Sequence, residues 1–118
     1  MNKGQDYRWG LISEWLSAWA LRLKGYTILA QRYRTSMGEI DLIAKRGNAL
    51  RFVEVKARPD LLQGMESISA NQRRRIEKSA TIFIGQAGLE AAEIAFDAMV
   101  VCPYRWPKHV QHAWRYGE

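Results

Sequence analysis

The stretch Gly38-Glu39-Ile40-Asp41-Leu42-Ile43-Ala44-Lys45-Arg46-Gly47-Asn48-Ala49-Leu50-Arg51-Phe52-Val53-Glu54-Val55-Lys56 decides how this chain is read. Two runs rich in β-branched and aromatic residues flank Gly47-Asn48, a pair suited to the positive φ angles of a tight hairpin. With a two-residue loop there, paired positions sum to 95. Asp41 then lies opposite Glu54, and Glu39 opposite Lys56. Strand side chains alternate faces, so Glu39 and Asp41 share one face and Glu54 and Lys56 the matching one. Directly opposed Cβ atoms lie about 4.5–5.5 Å apart. Two carboxylates at that spacing repel, and charge within a strand core is costly unless it is paired or holds a metal. A hard divalent cation with oxygen ligands near ~2 Å removes the conflict, and Mg²⁺ or Mn²⁺ suits such donors. The backbone carbonyl of Val55 offers one more oxygen. The plainer alternative is a solvated strand face on which Glu39 and Lys56 form a cross-strand ion pair.

Outward from the hairpin, residues 26–33 alternate as a first strand, and Thr35-Ser36-Met37-Gly38 turns the chain into the second. The third strand is expected over residues 49–57, and a fourth over 95–102, closed by Pro103. Residues 8–24 suit a helix ended by Gly25 at its C′ position. On a helical wheel Ile12, Leu16, Trp19, Ala20 and Leu23 form the expected core stripe, with Ser13, Ser17 and Lys24 as a polar strip. Glu14 falls beside Leu11, Ala18 and Leu21, either at an exposed edge or reaching into a site. Residues 58–66 show no clear period and are expected as a mobile, turn-rich loop. A second helix follows over residues 69–87, with Ile76, Ala80, Phe83 and Ile84 on its apolar side. The tail, residues 109–115, is expected as a short strand or helical turn packing Val110 and Trp114. His109 and His112 are three apart, but with no nearby carboxylate they are expected on the surface or in packing.

At 118 residues and 47% hydrophobic content the chain can bury one core, so a single domain over residues 1–118 is expected. One cysteine excludes a disulfide framework and a cysteine-based zinc site; Cys102, in an apolar run, is expected as a buried thiol. No signal peptide or membrane span is expected, which makes a cytoplasmic location the default. The net charge is +6; with Glu14, Glu39, Asp41 and Glu54 set aside, eighteen cationic residues face eight acidic ones, a balance of +10. Such a field favours a polyanion, and nucleic acid is the usual one. Arg73-Arg74-Arg75 with Lys78 is the densest cluster, ahead of Arg32/Arg34 and Lys45/Arg46; the alternative is a helix face kept for solubility. Trp9, Trp15 and Trp19 all fall in the first helix and are candidates for a homodimer face.

The order helix, three meandering strands, helix, strand makes this an α/β chain. It resembles the core of the restriction-endonuclease-like PD-(D/E)XK nucleases, a mixed sheet flanked by helices. Their signature is an acidic residue on the second strand and D/E-x-K on the third, the places of Asp41 and Glu54-Val55-Lys56. The sequence is further similar to the YraN-like family of small bacterial proteins, related in fold to archaeal Holliday-junction resolvases. That resemblance runs from Gly10 and Glu14 through Leu21, Gly25-Tyr26, Ile28-Leu29 and Tyr33-x-Thr35. It continues through residues 38–44, then Phe52-Val53-Glu54-Val55-Lys56-x-Arg58, Gln72 to Ile76, Phe96-Asp97 and His109-Val110-x-x-Ala113-Trp114. Ser13 stands where the family usually has Gly, Arg32 where it favours Asn, Gln72 where it favours Lys, and Ala95 where it favours Arg.

The resemblance implies that Glu14, Asp41 and Glu54 hold a divalent metal, Mg²⁺ or Mn²⁺, while Lys56 assists the attacking water. The expected activity is metal-assisted hydrolysis of phosphodiester bonds in nucleic acid, DNA rather than RNA, and structured DNA in particular. Glu39 is expected to support Lys56 by favouring its charged form. Arg58, Gln72, Arg73, Arg74 and Arg75 are the expected contacts to flanking nucleic acid. The competing readings are a non-catalytic nucleic-acid-binding module on the same fold and a protein-interaction domain that dimerises through its tryptophans.

Overall fold

The computed structural model describes residues 3–89 and 92–118. In chain order the elements are α1 (Lys3–Leu23), β1 (Thr27–Thr35), β2 (Gly38–Arg46), β3 (Ala49–Ala57), α2 (Leu61–Glu66), α3 (Ala70–Ala87), β4 (Glu93–Val101) and β5 (Lys108–Trp114). One five-stranded sheet has the order β1-β2-β3-β4-β5. The first three strands form an antiparallel meander. β4 runs parallel to β3, reached by a crossover that carries α2 and α3, and β5 returns antiparallel. The sheet is thus mixed, and the α/β order expected from sequence holds, with one further helix, α2, and with the tail taking the strand alternative.

The hairpin register is the expected one. Leu42↔Val53, Ile43↔Phe52, Ala44↔Arg51, Lys45↔Leu50 and Arg46↔Ala49 all obey the sum of 95. Gly47 sits at φ 58°, as a tight turn of this kind requires. Neighbouring residues then separate into two cores. Ile43, Leu50, Phe52 and Phe96 pack with Ile76 and Ala80 of α3. Leu42, Ala44, Val53 and Met99 pack with Ala18, Ala20 and Leu21 of α1. Because residues 42 and 43, like 52 and 53, point to opposite faces, α1 and α3 cover opposite sides of the sheet.

The buried face of α1 differs from the expected one. Ser13, Ser17, Ala18, Ala20 and Leu21 are buried, whereas Ile12, Trp19 and Leu23 are exposed, as are Trp9, Leu11 and Trp15. Small side chains let the helix lie close against the sheet, and a face carrying Trp19 would hold it away. Hydrophobicity alone put Ser13 and Ser17 outward; packing volume put them inward, while Lys24 stays exposed.

Residues 58–66 are a second departure, for they contain α2 rather than only loop. Asp60 caps that helix, its side chain accepting from Gln63 N at 2.8 Å. Gly64 lies so close to β4 that a Cβ would come within 2.5 Å of Val100 Cγ1. α3 begins at the Ser69 cap, whose hydroxyl accepts from Gln72 N, and ends at Gly88 with φ 69°. The tail forms strand β5, and Cys102 is half-buried rather than enclosed. Among the described residues no helix is long and apolar enough to cross a membrane.

A candidate acidic site where two strands part

The β2–β3 ladder stops at Leu42↔Val53. Beyond it β2 stays paired with β1 down to Gly38, while β3 stays paired with β4 up to Ala57. The two strands therefore diverge just where the acidic residues begin. Asp41 fills the gap: its Oδ2 accepts a hydrogen bond from Val55 N at 2.8 Å. A carboxylate thus takes the donor that a β2 carbonyl would otherwise have met.

The divergence has a counterpart in β1. Ile40 belongs to the α3-side core and Leu42 to the α1-side core, so side-chain alternation breaks between them, at Asp41. Gln31↔Leu42 and Tyr33↔Ile40 bracket Arg32 on the facing strand, and Arg32 has φ 51°. That left-handed conformation suits Asn far better than Arg. In this chain the Arg32 side chain reaches back to α1, and Nε donates to Glu14 Oε1 at 3.2 Å.

Glu54 is 4% exposed. Burial is the largest force raising its pKa, followed by the hydrogen bond to Asp41 and the Asp41 charge, with Lys56 opposing; together they push it up to about 10. At neutral pH Glu54 therefore holds a proton beside half-buried Asp41. Glu14 is raised as well, by burial first and then by Asp41, against the lowering influence of Arg32. Glu39 also raises it. Glu14, Asp41 and Glu54 thus lie in one electrostatic neighbourhood, contributed by α1, β2 and β3.

The expected Glu39–Lys56 pairing is not formed. Glu39 pairs across β1 with Arg34, at 3.5 Å between Nε and Oε1, because the strands have parted before that register position. Lys56 instead acts on Glu54. Among the described residues no three His, Cys, Asp or Glu side chains converge closely enough to hold a metal ion. Glu14 is turned toward Arg32 and Asp41 toward Val55.

The basic residues singled out from sequence separate by position. Arg74 Nη1 donates to buried Glu77 at 2.7 Å, and Arg73 lies over the Trp114 ring at 5.7 Å. Arg75 is exposed, and its Cβ would lie 2.8 Å from a Cβ at Gly38, three residues before Asp41. Gln72 is held at the helix start through its backbone, and Arg58 is half-buried with Nη1 on the Ala57 carbonyl.

Two further buried carboxylates were not singled out from sequence. Asp97, on β4, accepts from His109 Nε2 at 2.7 Å and His112 N at 3.0 Å, with Arg51 Nε 3.8 Å away. Glu77 accepts from Arg74, from Trp114 Nε1 at 3.0 Å and from Gly117 N at 3.2 Å. His109 is accordingly a buried structural residue, and the nearby carboxylate that sequence spacing could not supply is Asp97, brought in by the β4–β5 pairing. A cleft of about 430 Å³ between α3, β4 and the C-terminal tail is lined by Glu77, Phe96, His112, Trp114 and Tyr116 among others. None of the acidic site residues takes part in it.

The fold and site define a three-layer α/β domain with an acid cluster at a strand divergence. The chain belongs to the uncharacterised protein family UPF0102, whose profile matches residues 13–101. It is 53% identical over 117 residues to the UPF0102 protein mlr4633 of Mesorhizobium japonicum, covering 98% of this chain and 93% of that protein. A UPF0102 protein of Chelativorans sp. is 46% identical over 113 residues, covering 95% of this chain and 91% of the relative. One from Parvibaculum lavamentivorans is 44% identical over 110 residues, covering 92% and 83%. The matched span includes Glu14, Asp41, Glu54 and Lys56.

Proposed function

We propose that this protein is a divalent-metal-dependent nuclease that hydrolyses phosphodiester bonds in structured DNA, on a restriction-endonuclease-like fold akin to that of archaeal junction resolvases. One observation carries the reading: buried Glu54 lies against Asp41 in a gap between strands, where burial and the Asp41 charge both disfavour its ionised form. A structural carboxylate is normally matched with donors, so an acid matched with another acid points to a cation. The donor chemistry fits Mg²⁺ or Mn²⁺, since all three acids supply hard oxygens. Asp41 and Glu54 would hold the ion, and Glu14 would join them on releasing Arg32. A cation held there would supply an activated water at neutral pH and charge neutralisation on the phosphate. To hold the ion Glu54 would release its proton to solvent, Lys56 would meet the negative charge that grows on the phosphoryl oxygens, and Arg75 would grip a phosphate beside the site. Glu39 acts through Glu14 rather than through Lys56. A cytoplasmic location accords with a single unpaired cysteine.

The test is a panel of duplex, single-stranded, flap and four-way-junction DNA with Mg²⁺ or Mn²⁺, alongside Mn²⁺ titration of wild type and D41A by calorimetry. Cleavage that K56A slows by about a hundredfold, with Mn²⁺ binding lost in D41A, is the expected result. Equal Mn²⁺ binding by both proteins would sink the metal site. Binding without cleavage across the panel would leave a non-catalytic nucleic-acid-binding module.

We further propose that the protein pairs through the outer face of α1. Trp9, Leu11, Ile12, Trp15, Trp19 and Leu23 are exposed there, Trp15 to 59%. Together they offer roughly 700 Å² of apolar surface, close to the ~800 Å² per partner of a stable interface. A second copy of the same face is the occupant that closes such a patch symmetrically. Light scattering should give the mass of a dimer; a monomer at high concentration would discard the pairing.

A further inference from the structure

We infer that the loop from β4 to β5 is a stacking platform for unpaired bases next to the acidic site. This rests on the nucleic-acid reading above and adds the substrate class, a strand with exposed base faces. The loop reads Cys102-Pro103-Tyr104-Arg105-Trp106-Pro107, two aromatic residues around an arginine between two prolines. Tyr104 is 106% exposed and Trp106 61% exposed, so neither ring is spent on the core. The backbone beneath them is nevertheless held. Val100 pairs with Lys108, Arg105 N donates to the Cys102 carbonyl, Pro107 is buried, and Tyr104 sits at φ 60°. A left-handed, fully exposed tyrosine is conformationally unfavourable and gains nothing from packing.

Its place in the fold supplies the reason. Lys56 pairs with Val100 and Val100 with Lys108, so the two lysines flank one valine across adjacent strands, each spacing about 4.8 Å. Arg58 N donates to the Val101 carbonyl at 3.2 Å, tying the end of β3 to the base of the loop. Tyr104 lies three residues past Val101, within roughly 10 Å of that point. The loop therefore rises from the same sheet end as Lys56, at the carboxyl ends of two parallel strands, where α/β sheets bind ligands. Its charge suits a phosphate backbone: residues 98–117 contain no Asp or Glu, and Arg105 and Lys108 lie beside the rings. Aromatic rings interleaved with cations accept bases from their faces, and a duplex keeps those faces covered. Single strands, flaps and open junction centres present them.

The experiment uses the full chain in EDTA, where cleavage does not interfere, with fluorescence anisotropy of a labelled single strand and a duplex of equal length. Wild type, Y104A/W106A and Y104F/W106F are compared, with thermal melts to verify the fold. The expected result is about a tenfold or greater loss of single-strand affinity in the alanine variant, less than about twofold on duplex, and retention in the phenylalanine variant. Equal losses on both DNAs, or none, would overturn the platform, as would capture of the loop by lipid vesicles but not by DNA. If wild type binds neither DNA, the nucleic-acid reading falls with it. If wild type binds and cleaves while the alanine variant is unchanged, the platform alone is wrong.

Discussion

Glu54 at the β2–β3 divergence and the carboxylates Asp97 and Glu77 are equally buried but oppositely furnished. Asp97 meets two histidine-borne donors and an arginine; Glu77 meets an arginine, an indole N–H and a backbone N–H. Glu54 meets Asp41. Burial alone does not mark a functional acid; what it faces does. Donors aimed at a carboxylate hold the fold together, and a second acid leaves negative charge for something else to neutralise.

The widest separation between the two regions should come from amide substitution. E54Q is expected to lower cleavage by about a hundredfold or more, through loss of an ionisable oxygen, without loss of stability in metal-free buffer. D97N should do the reverse, costing about 3 kcal/mol in urea unfolding while leaving metal binding intact, because His109 and Arg51 lose a buried anion. Should D97N abolish metal binding, the division of roles would be wrong.

Titration gives the next largest effect. Native Glu54 is raised to about 10, whereas the unfolded chain releases that proton near 4.5, so the native state binds more protons between those values. Stability of the metal-free protein therefore falls as pH rises through that window, by at most about 1.4 kcal/mol per unit. Urea melts in EDTA at several pH values should show the decline in wild type and a flatter profile in E54Q. Identical profiles would mean that Glu54 is already ionised in the folded protein.

Neighbouring arginines sharpen the same contrast. R74A should destabilise by about 2 kcal/mol, leaving Glu77 short of a donor, with little change in the salt dependence of DNA binding. R75A should leave stability unchanged and reduce the salt slope by about 1. The smallest effect is expected of R32N. It relieves a left-handed arginine and removes an ion pair of similar worth, so stability should move by less than about 0.5 kcal/mol. Glu14 is released, and Mn²⁺ affinity should rise a few-fold by calorimetry. A fall in affinity would show that Arg32 orients Glu14 rather than restraining it.

Much of the hairpin was legible because its determinants are local. Gly47-Asn48 sets the turn, the turn sets the sum of 95, and alternation then carries Asp41 to the vicinity of Glu54. The same rule failed one step later. It paired Glu39 with Lys56, and nothing in the local pattern says that β2 will follow β1 while β3 follows β4. The helix face failed for a related reason, since a wheel ranks side chains by polarity and α1 docks by size. Asp97 and His109 are twelve residues apart, across a turn whose pairing had to be seen before their contact could be. Nothing in the local sequence singles out Tyr104 and Trp106; the parallel pairing of β3 with β4 puts them at the site end of the sheet.

By itself the sequence determined the hairpin, its register, the order of the principal elements and the acids worth examining, because turn chemistry and strand alternation act over a few residues. The tertiary structure decided which acid keeps its proton, which arginines are occupied, which face of α1 is left outward and what lies beside Lys56. Those outcomes depend on volume, desolvation and charge summed over elements distant in the chain, and they exist only once the elements have packed.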